Sequence, residues 1–165
     1  MSEHTNLTIG HLVARALEVR EQAYARYSRF KVGAALLGED GRVFTGCNVE
    51  NASFGLTCCA ERVAIFNAVT AGCRRFSALA VASAGGAAPC GACRQVIREF
   101  APRLTLYLAV ADGSYLEERL ERLLPDSFGP EDLVGRRKVR RESAASRVKP
   151  RALRKARGKR RATKG

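Results

Sequence analysis

The chain has 165 residues, of which 46% are hydrophobic, so it is long enough for one domain with a buried core and needs no disulfide staples. No apolar stretch approaches the ~18 residues of a membrane span, and charged residues interrupt the N-terminal segment where a secretory leader would be apolar. The net charge of +13 suggests a nucleic-acid-binding protein, but residues 136–165 hold 15 of the 29 Lys and Arg side chains and one of the 16 acids, which leaves 14 bases and 15 acids before them.

The first predicted elements are a helix and a hairpin. Apolar residues recur at helical spacing over residues 9–24, which indicates an amphipathic helix. Two apolar runs, residues 30–37 and 42–49, flank the dipeptide Asp40-Gly41, which is typical of a hairpin turn. We therefore expect an antiparallel pair of strands after the first helix.

Helices then alternate with buried strands. In chain order, the patterns predict a helix over residues 59–71 with Thr57 as its N-cap, a strand over 76–83, a helix with Pro89 near its first turn, a strand over 104–110 and a short helix over 116–125. This alternation predicts an α/β fold, a three-layer α/β/α sandwich around a mixed sheet.

The folded domain is expected to span residues 1–135. Residues 136–165 carry a net charge of +14 and almost no large apolar side chains, so this tail cannot bury enough surface to fold alone. The simpler interpretation is a solvated, disordered extension. The functional alternative is nonspecific attraction to the phosphates of RNA or DNA.

Six cysteines need a chemical explanation in a protein expected to be cytoplasmic, where disulfides are rare. Cys90 and Cys93 lie three residues apart at the start of a predicted helix, so both sulfurs can face the same way. The positive end of the helix dipole favours their thiolates. Cys58 and Cys59 lie at the start of another helix. If neighbouring parallel strands aim both helix starts at one crevice, three thiolates can converge on one metal ion.

Three protein ligands on a tetrahedral zinc ion leave a fourth position for water, which is the catalytic arrangement. A structural zinc site would need a fourth ligand, and the two histidines, His4 and His11, form no ligand pair with the cysteines. Buried packing is the other interpretation of a cysteine. It suits Cys47 and Cys73 but explains the C-x-x-C pair poorly.

A carboxylate follows the two adjacent cysteines. Beside a zinc-activated water, Glu61 could accept and relay a proton. Helix geometry leaves the identity of the ligand open, because Cys58 would share a helical face with Glu61 whereas Cys59 would not. The zinc signature of nucleobase deaminases (a ligand, one residue, a glutamate, then P-C-x-x-C) selects Cys59, and Cys58 then has a packing role.

The chain resembles the cytidine deaminase family, specifically its small single-domain nucleoside enzymes. The motifs that carry the resemblance occur in the family's order from Tyr27 to Leu133 and read YSRFKVGAAL, GCNVENASFG, CAERVAI, PCGACRQVIREF and LLPDSFGPEDL. The resemblance implies zinc-dependent hydrolytic deamination of cytidine and deoxycytidine to the uridines with release of ammonia, as in pyrimidine salvage. It also implies a homotetramer.

The resemblance implies a metal site with its proton shuttle. Cys59, Cys90 and Cys93 are similar to the family's zinc ligands. Glu61 is similar to the proton shuttle, and Arg62 to an arginine that hydrogen-bonds the ligand sulfurs. Such an arginine makes physical sense, because three thiolates overcompensate the charge of Zn²⁺.

The resemblance also implies a substrate site. Asn48 and Glu50 match residues that bind the ribose hydroxyls, since an amide and a carboxylate can take O–H groups in complementary senses. Phe30 matches an aromatic residue that packs against the pyrimidine, with a core role on a strand as the alternative. Ala60 belongs with the substrate-binding residues, and Phe128 matches an aromatic residue that reaches into a neighbouring subunit's site.

Three other functions remain open at this point. A deaminase of cytosine-containing nucleoside antibiotics is the nearest rival, but Asn48, Arg62 and the FGPEDL ending favour the ordinary nucleoside enzyme. A polynucleotide cytosine deaminase is suggested by the basic tail, and it would need an open groove lined by basic and aromatic residues. The third is a nucleic-acid-binding protein with a structural zinc ion.

Overall fold

The computed structural model describes the backbone of residues 3–134 and the side chains of residues 9–134. The basic tail and the predicted domain boundary at residue 135 lie outside the described residues. The elements are, in chain order, α1 (Glu3–Arg20), β1 (Gly33–Gly38), β2 (Val43–Cys47), a 3-10 turn (Phe54–Leu56), α2 (Ala60–Thr70), β3 (Phe76–Ala82), α3 (Gly91–Phe100), β4 (Thr105–Ala109), β5 (Tyr115–Arg119), α4 (Leu120–Leu123) and α5 (Pro130–Leu133). Within this described part, every helix is too short or too polar to cross a membrane.

The five strands form one mixed sheet in the order β2-β1-β3-β4-β5. Strand β1 pairs antiparallel with both β2 and β3, so β2 and β3 run in the same direction on either side of it. Strands β3 and β4 are parallel and are connected through α3, whereas β4 and β5 form an antiparallel pair. The predicted mixed sheet and its N-terminal hairpin are confirmed.

Strand β3 shows how helices cover both faces of the sheet. Leu79 and Val81 belong to the core that includes the buried residues of α2 and α3. Ala78, Ala80 and Ala82 alternate with them and belong to the core under α1. Because successive side chains of a strand point to opposite faces, α1 lies on one side of the sheet and α2 and α3 on the other. The predicted three-layer α/β/α arrangement is confirmed.

The C-terminal part of the sheet corrects one prediction. The helix predicted over residues 116–125 is wrong, because Tyr115–Arg119 forms β5 and only Leu120–Leu123 is helical. A turn with Gly113 at a φ of 87° returns the chain along β4, where the two strands pair at five positions. Glu and Arg favour a helix locally, but pairing with the free edge of β4 outweighs that preference.

The predicted starts of the two central helices also need correction. Cys59, not Thr57, is the N-cap of α2, because Cys58 pairs with Val49 and keeps the chain extended up to that point. Helix α3 begins at Gly91 with Cys90 as its N-cap, so Pro89 lies outside the first turn. The outcome is a cysteine at the N-cap of each helix.

Both helix starts lie at the same edge of the sheet. Helix α2 follows β2 and α3 follows β3, and these two strands run in the same direction with β1 between them. Gly46 allows α2 to lie close to β2, because a β-carbon at this position would stand 2.7 Å from the carbonyl oxygen of Ala60. The sheet therefore brings the two cysteine-bearing helix starts together.

Candidate active site

Three cysteine sulfurs meet where α2 and α3 begin. Sγ of Cys90 lies 3.9 Å from Sγ of Cys59 and 3.6 Å from Sγ of Cys93. All three sulfurs lie within 4.8 Å of one another. Cys93 is the third residue of α3, which is the position that an N-cap side chain faces, so the contact with Cys90 follows from local helix geometry.

The spacing of the sulfurs fits a zinc ion. Two thiolates that each lie ~2.3 Å from a tetrahedral zinc ion are about 3.8 Å apart. The observed separations of 3.6 and 3.9 Å bracket that value and are far longer than a disulfide bond of ~2.05 Å. Three sulfur donors would leave one position of such an ion open.

Cys58 lies outside this cluster although it is adjacent to Cys59. Its N–H donates to the carbonyl of Val49 at 3.0 Å, and its own carbonyl accepts the N–H of Val49 at 2.9 Å. Successive side chains of such an extended segment point to opposite sides, so only one of the two thiols can face α3. The structure places Cys59 there. Residues two positions apart in a regular helix point in different directions, but Cys59 precedes α2. This rule therefore does not keep Cys59 and Glu61 apart.

Glu61 is the buried acid of the site. It is the second residue of α2 and is only 4% exposed. Burial raises the pKa of its carboxyl, and the neighbouring charge of Cys59 acts in the same direction. A carboxyl in these surroundings takes up a proton more readily than an exposed glutamate does, which suits it to proton transfer.

Arg62 supports the charge of Cys59. Its Nη2 donates to the carbonyl of Thr57 at 2.9 Å and lies 3.6 Å from Sγ of Cys59. A hydrogen bond from Cys93 and then one from Arg62 lower the pKa of Cys59 to about 5. Cys59 is therefore a thiolate at neutral pH, which is the form that binds metal.

A cavity of 240 Å³ connects the sulfur cluster with polar groups near the β1–β2 hairpin. The residues singled out from the sequence that line this cavity are Phe30, Asn48, Glu50, Cys59, Ala60, Glu61 and Cys90. Its remaining lining residues are Ser28, Val32, Thr57, Val81, Ala87 and Ala88. An enclosure with a few polar groups among apolar ones is typical of a small-molecule site, not of a groove for a polymer.

Asn48 fixes one wall of the cavity. The residue is only 7% exposed, its side-chain Nδ2 donates to the carbonyl of Phe30 at 2.9 Å, and its Oδ1 accepts the N–H of Val32 at 2.8 Å. An amide has two N–H groups and two acceptor lone pairs, so one of each remains available for a ligand. Phe30 itself is 44% exposed, which excludes the alternative of a core role.

Ser28 is a residue of this site that the sequence analysis missed. Its hydroxyl donates to Oε1 of Glu50 and accepts the N–H of Phe30 at 2.9 Å. Oε2 of Glu50 accepts the backbone N–H groups of Tyr27 at 2.7 Å and of Ser28 at 3.2 Å. The Ser28 hydroxyl and these amides lower the pKa of the Glu50 carboxyl. A serine two residues before Phe30 is typical of a turn in which a hydroxyl binds the backbone, and that signal could have identified it.

Three other residues predicted for the site lie outside the cavity lining. Cys93 and Arg62 are behind it and contact its cysteines, as described above. Phe128 does not line the cavity. The residue is 57% exposed, and its carbonyl accepts a hydrogen bond from Nε2 of Gln95 at 2.9 Å. Within a single subunit, the structure does not bring Phe128 to the other predicted residues.

Comparison with protein families and known structures gives a consistent result. Residues 8–109 match the family model described as "Cytidine and deoxycytidylate deaminase zinc-binding region". The chain is 48% identical over 130 residues to a cytidine deaminase of Sporosarcina psychrophila, which covers 77% of this chain and 96% of that protein. It is 49% identical over 125 residues to a cytidine deaminase of Halalkalibacterium halodurans, which covers 74% of this chain and 95% of that protein.

A solved structure supports the same assignment. The crystal structure of a cytidine deaminase from Burkholderia pseudomallei superposes with a TM-score of 0.69 at 50% identity, and the match covers 78% of this chain and all of that one. The region matched by the family model contains Glu61 and the three clustered cysteines. The zinc cofactor predicted from the sequence is confirmed by this zinc-binding region together with the sulfur cluster.

Proposed function

The chain belongs to the cytidine and deoxycytidylate deaminase family, and from this premise we propose that it hydrolyses cytidine and deoxycytidine to uridine and deoxyuridine with release of ammonia. The family predicted from the sequence is thus confirmed, and the chain is a hydrolytic deaminase. The observation that carries the choice of substrate is one cavity lined by Glu61, by two of the clustered cysteines and by the polar pair Asn48 and Glu50. Such a cavity can hold the base and its sugar together.

The proposed metal ligands are Cys59, Cys90 and Cys93, whose sulfurs have the spacing described above. Zinc held there would supply Lewis acidity that activates a water molecule as the nucleophile for carbon 4 of the cytosine ring. The hydrogen bond from Arg62 favours the thiolate form of Cys59 and withdraws part of its charge.

Glu61 moves the protons of the reaction in this proposal. It takes one proton from the attacking water and delivers it to N3 of the ring. It then takes the proton of the new hydroxyl at carbon 4 and gives it to the amine, which leaves as ammonia while the carbonyl of uridine forms. A buried carboxyl with a raised pKa suits both directions of transfer, because it gains and returns a proton at low cost.

Asn48 and Glu50 are proposed to bind the sugar. The carboxylate of Glu50 accepts three hydrogen bonds from Tyr27 and Ser28, which leaves one lone pair on Oε1. The free N–H of Asn48 is a donor. A single sugar hydroxyl can therefore donate to Glu50 and accept from Asn48.

Ala60 and Phe30 are proposed to bind the base. Ala60 is the first residue of α2, so its N–H has no acceptor inside the helix and is available to the pyrimidine carbonyl. Phe30 offers an exposed ring against which the pyrimidine can pack. These contacts place carbon 4 toward the sulfur cluster at the other side of the cavity.

A homotetramer is part of the proposal. Several large apolar side chains are exposed in the described part of the subunit, including Phe54 at 74%, Leu56 at 72% and Phe128 at 57%. Exposed large apolar side chains are typical of subunit contacts. We propose that Phe128 completes the cavity of a neighbouring subunit, because it does not reach its own.

The remaining proposals concern the organisation and location of the chain. We propose that residues 1–135 form the catalytic domain, that residues 136–165 are a separate basic tail, and that the enzyme acts in the cytoplasm. The charge distribution supports the division, since the tail alone accounts for the basic character of the chain.

The experiment that tests the function is a substrate comparison with purified, zinc-loaded full-length protein. Cytidine, deoxycytidine, a cytosine-containing nucleoside antibiotic and a cytosine-containing oligonucleotide are each incubated with the enzyme, and product and ammonia are quantified. We expect equal amounts of ammonia and uridine or deoxyuridine from the first two. Preferential turnover of the antibiotic or of the oligonucleotide would replace this function with one of those rivals.

A further inference from the structure

A second cavity, of 530 Å³, lies beside the proposed nucleoside site and shares Phe30 with it. It is lined by the end of α1 and the segment that follows, with Ala84 from the loop after β3. We call it the basic cavity, because its charged lining side chains are all cationic and comprise Arg20, Arg26, Arg29 and Lys31. Its lining contains no carboxylate.

The positive charge of the basic cavity is only partly compensated. Glu21 pairs with Lys31 at 2.9 Å and with Arg20 at 3.5 Å. Within the described residues, no ion pair or side-chain hydrogen bond involves Arg26 or Arg29. Two guanidinium groups therefore stand at one cavity with all of their donors available. Like charges held at one site repel unless an anion joins them.

The backbone adds a second observation. Arg29 has a φ of 58°, the only positive φ of a non-glycine residue in the described part of the chain. This left-handed conformation is unfavourable for a residue with a β-carbon, and such strain clusters at ligand sites. Here it closes a turn in which the N–H of Arg29 donates to the carbonyl of Ala25 at 3.0 Å. The turn puts Arg26 and Arg29 on the wall of the same cavity.

We propose that the basic cavity is a binding site for a phosphate group. The planar guanidinium fork matches two phosphate oxygens, and a dianion would neutralise the two unpaired arginines. The phenol of Tyr24, which also lines the cavity, can donate a further hydrogen bond. The phosphate comes from one of two sources: a cytidine nucleotide whose base enters the adjoining cavity, or free phosphate. Only the nucleotide source rests on the proposed function.

The first test measures binding of inorganic phosphate to the zinc-loaded full chain by equilibrium dialysis at fixed ionic strength. The variant is Arg26→Gln with Arg29→Gln, and the control is Arg74→Gln with Arg103→Gln, which removes two exposed arginines outside the basic cavity. Glutamine keeps the β-carbon, so the backbone at residue 29 is equally strained in both proteins. The basic tail is identical in all three, so its own affinity for phosphate cancels.

We expect the Arg26/Arg29 variant to bind phosphate about 10-fold more weakly than the unmodified chain, and the control variant to bind it unchanged, because charge-assisted hydrogen bonds are lost only in the former. Equal phosphate affinity in all three proteins would overturn the proposal. Cytidine turnover is not needed for this readout, so absent deaminase activity would refute the proposed function and leave the phosphate site standing.

The second test distinguishes the two sources. Cytidine turnover is measured with added cytidine 5′-monophosphate and, separately, with added inorganic phosphate. If the cavity binds a nucleotide phosphate, the nucleotide inhibits more strongly than inorganic phosphate does. In the Arg26/Arg29 variant this inhibition is about 10-fold weaker, while the KM for cytidine is unchanged. Equal binding of both, weakened alike in that variant, assigns the cavity to free phosphate. If the variant binds both the nucleotide and inorganic phosphate as the unmodified chain does, both assignments are contradicted.

Discussion

The guanidinium of Arg62 lies 3.6 Å from the sulfur of Cys59, across the first turn of α2. The pair has the same relation as Cys90 and Cys93 in α3, namely an N-cap and the third residue of its helix. The start of α2 thus places the cation of Arg62 against the sulfur of Cys59. The start of α3 places the sulfur of Cys93 against that of Cys90. The two together place one cation against a cluster of three sulfurs.

Replacing Arg62 tests this compensation. We expect Arg62→Gln to lower zinc affinity and turnover by ~10–100-fold, as is usual when a group that hydrogen-bonds a metal ligand is removed. Arg62→Lys should be less damaging, because it keeps the charge but loses the fork. Zinc competition with a chelating dye and steady-state kinetics measure both effects. Arg74→Gln is the matched control, and an Arg62→Gln protein that behaves like it would refute the role.

The adjacent thiols give a second prediction. Cys59→Ser should lose zinc and activity, whereas Cys58→Ser should keep both, because only Cys59 faces the sulfurs of α3. Each variant replaces one sulfur atom by oxygen, at neighbouring positions, so each is the control of the other. Metal content by atomic emission and cytidine turnover are the measurements. Metal loss in the Cys58 variant alone would reverse the ligand assignment.

Gly46 couples the fold to the site. A β-carbon at this position would press on the start of α2, so Gly46→Ala should destabilise the protein by ~1–3 kcal/mol and reduce activity through displacement of Cys59 and Glu61. Gly55→Ala is the control, because nothing lies within 4 Å of a β-carbon there. Denaturant unfolding and kinetics provide the comparison. Equal stability of the two variants would show that α2 does not depend on this close approach.

The basic tail should be separable from catalysis. A protein that ends at Gly135 is expected to keep its zinc, its assembly and its cytidine turnover within about a few-fold, because changes distant from a site usually matter little. It should lose the salt-sensitive binding of single-stranded RNA that we expect of the full chain. Titration of both proteins across a salt series measures this. Loss of cytidine turnover on truncation would mean that the domain boundary is misplaced.

Short-range patterns made most of the fold predictable from the sequence. The hairpin around Asp40-Gly41 and the strand over residues 76–83 have strong local signals, and both are present. Strand β5 was missed because its Glu-Glu-Arg run favours a helix when taken alone, and only pairing with β4 makes it a strand. Local propensity carries no information about a free sheet edge 10 or so residues away.

The site was predictable as a set of residues but not as a geometry. The sequence could not choose between Cys58 and Cys59 from helix spacing, because the start of α2 depends on a long-range pairing between Cys58 and Val49. The unpaired charge of Arg26 and Arg29 was likewise hidden. Their roles depend on which side chains the fold brings to one cavity.

The most direct test of the central claim compares the zinc-loaded full chain with Glu61→Gln. Both proteins are assayed for conversion of cytidine to uridine, and their zinc content is measured in the same samples. We expect the unmodified chain to convert cytidine and the variant to retain zinc while turnover falls by at least ~10²–10⁴-fold, the usual effect of removing a general acid and base. Turnover in Glu61→Gln close to that of the unmodified chain, at equal zinc content, would contradict the proposed deaminase mechanism.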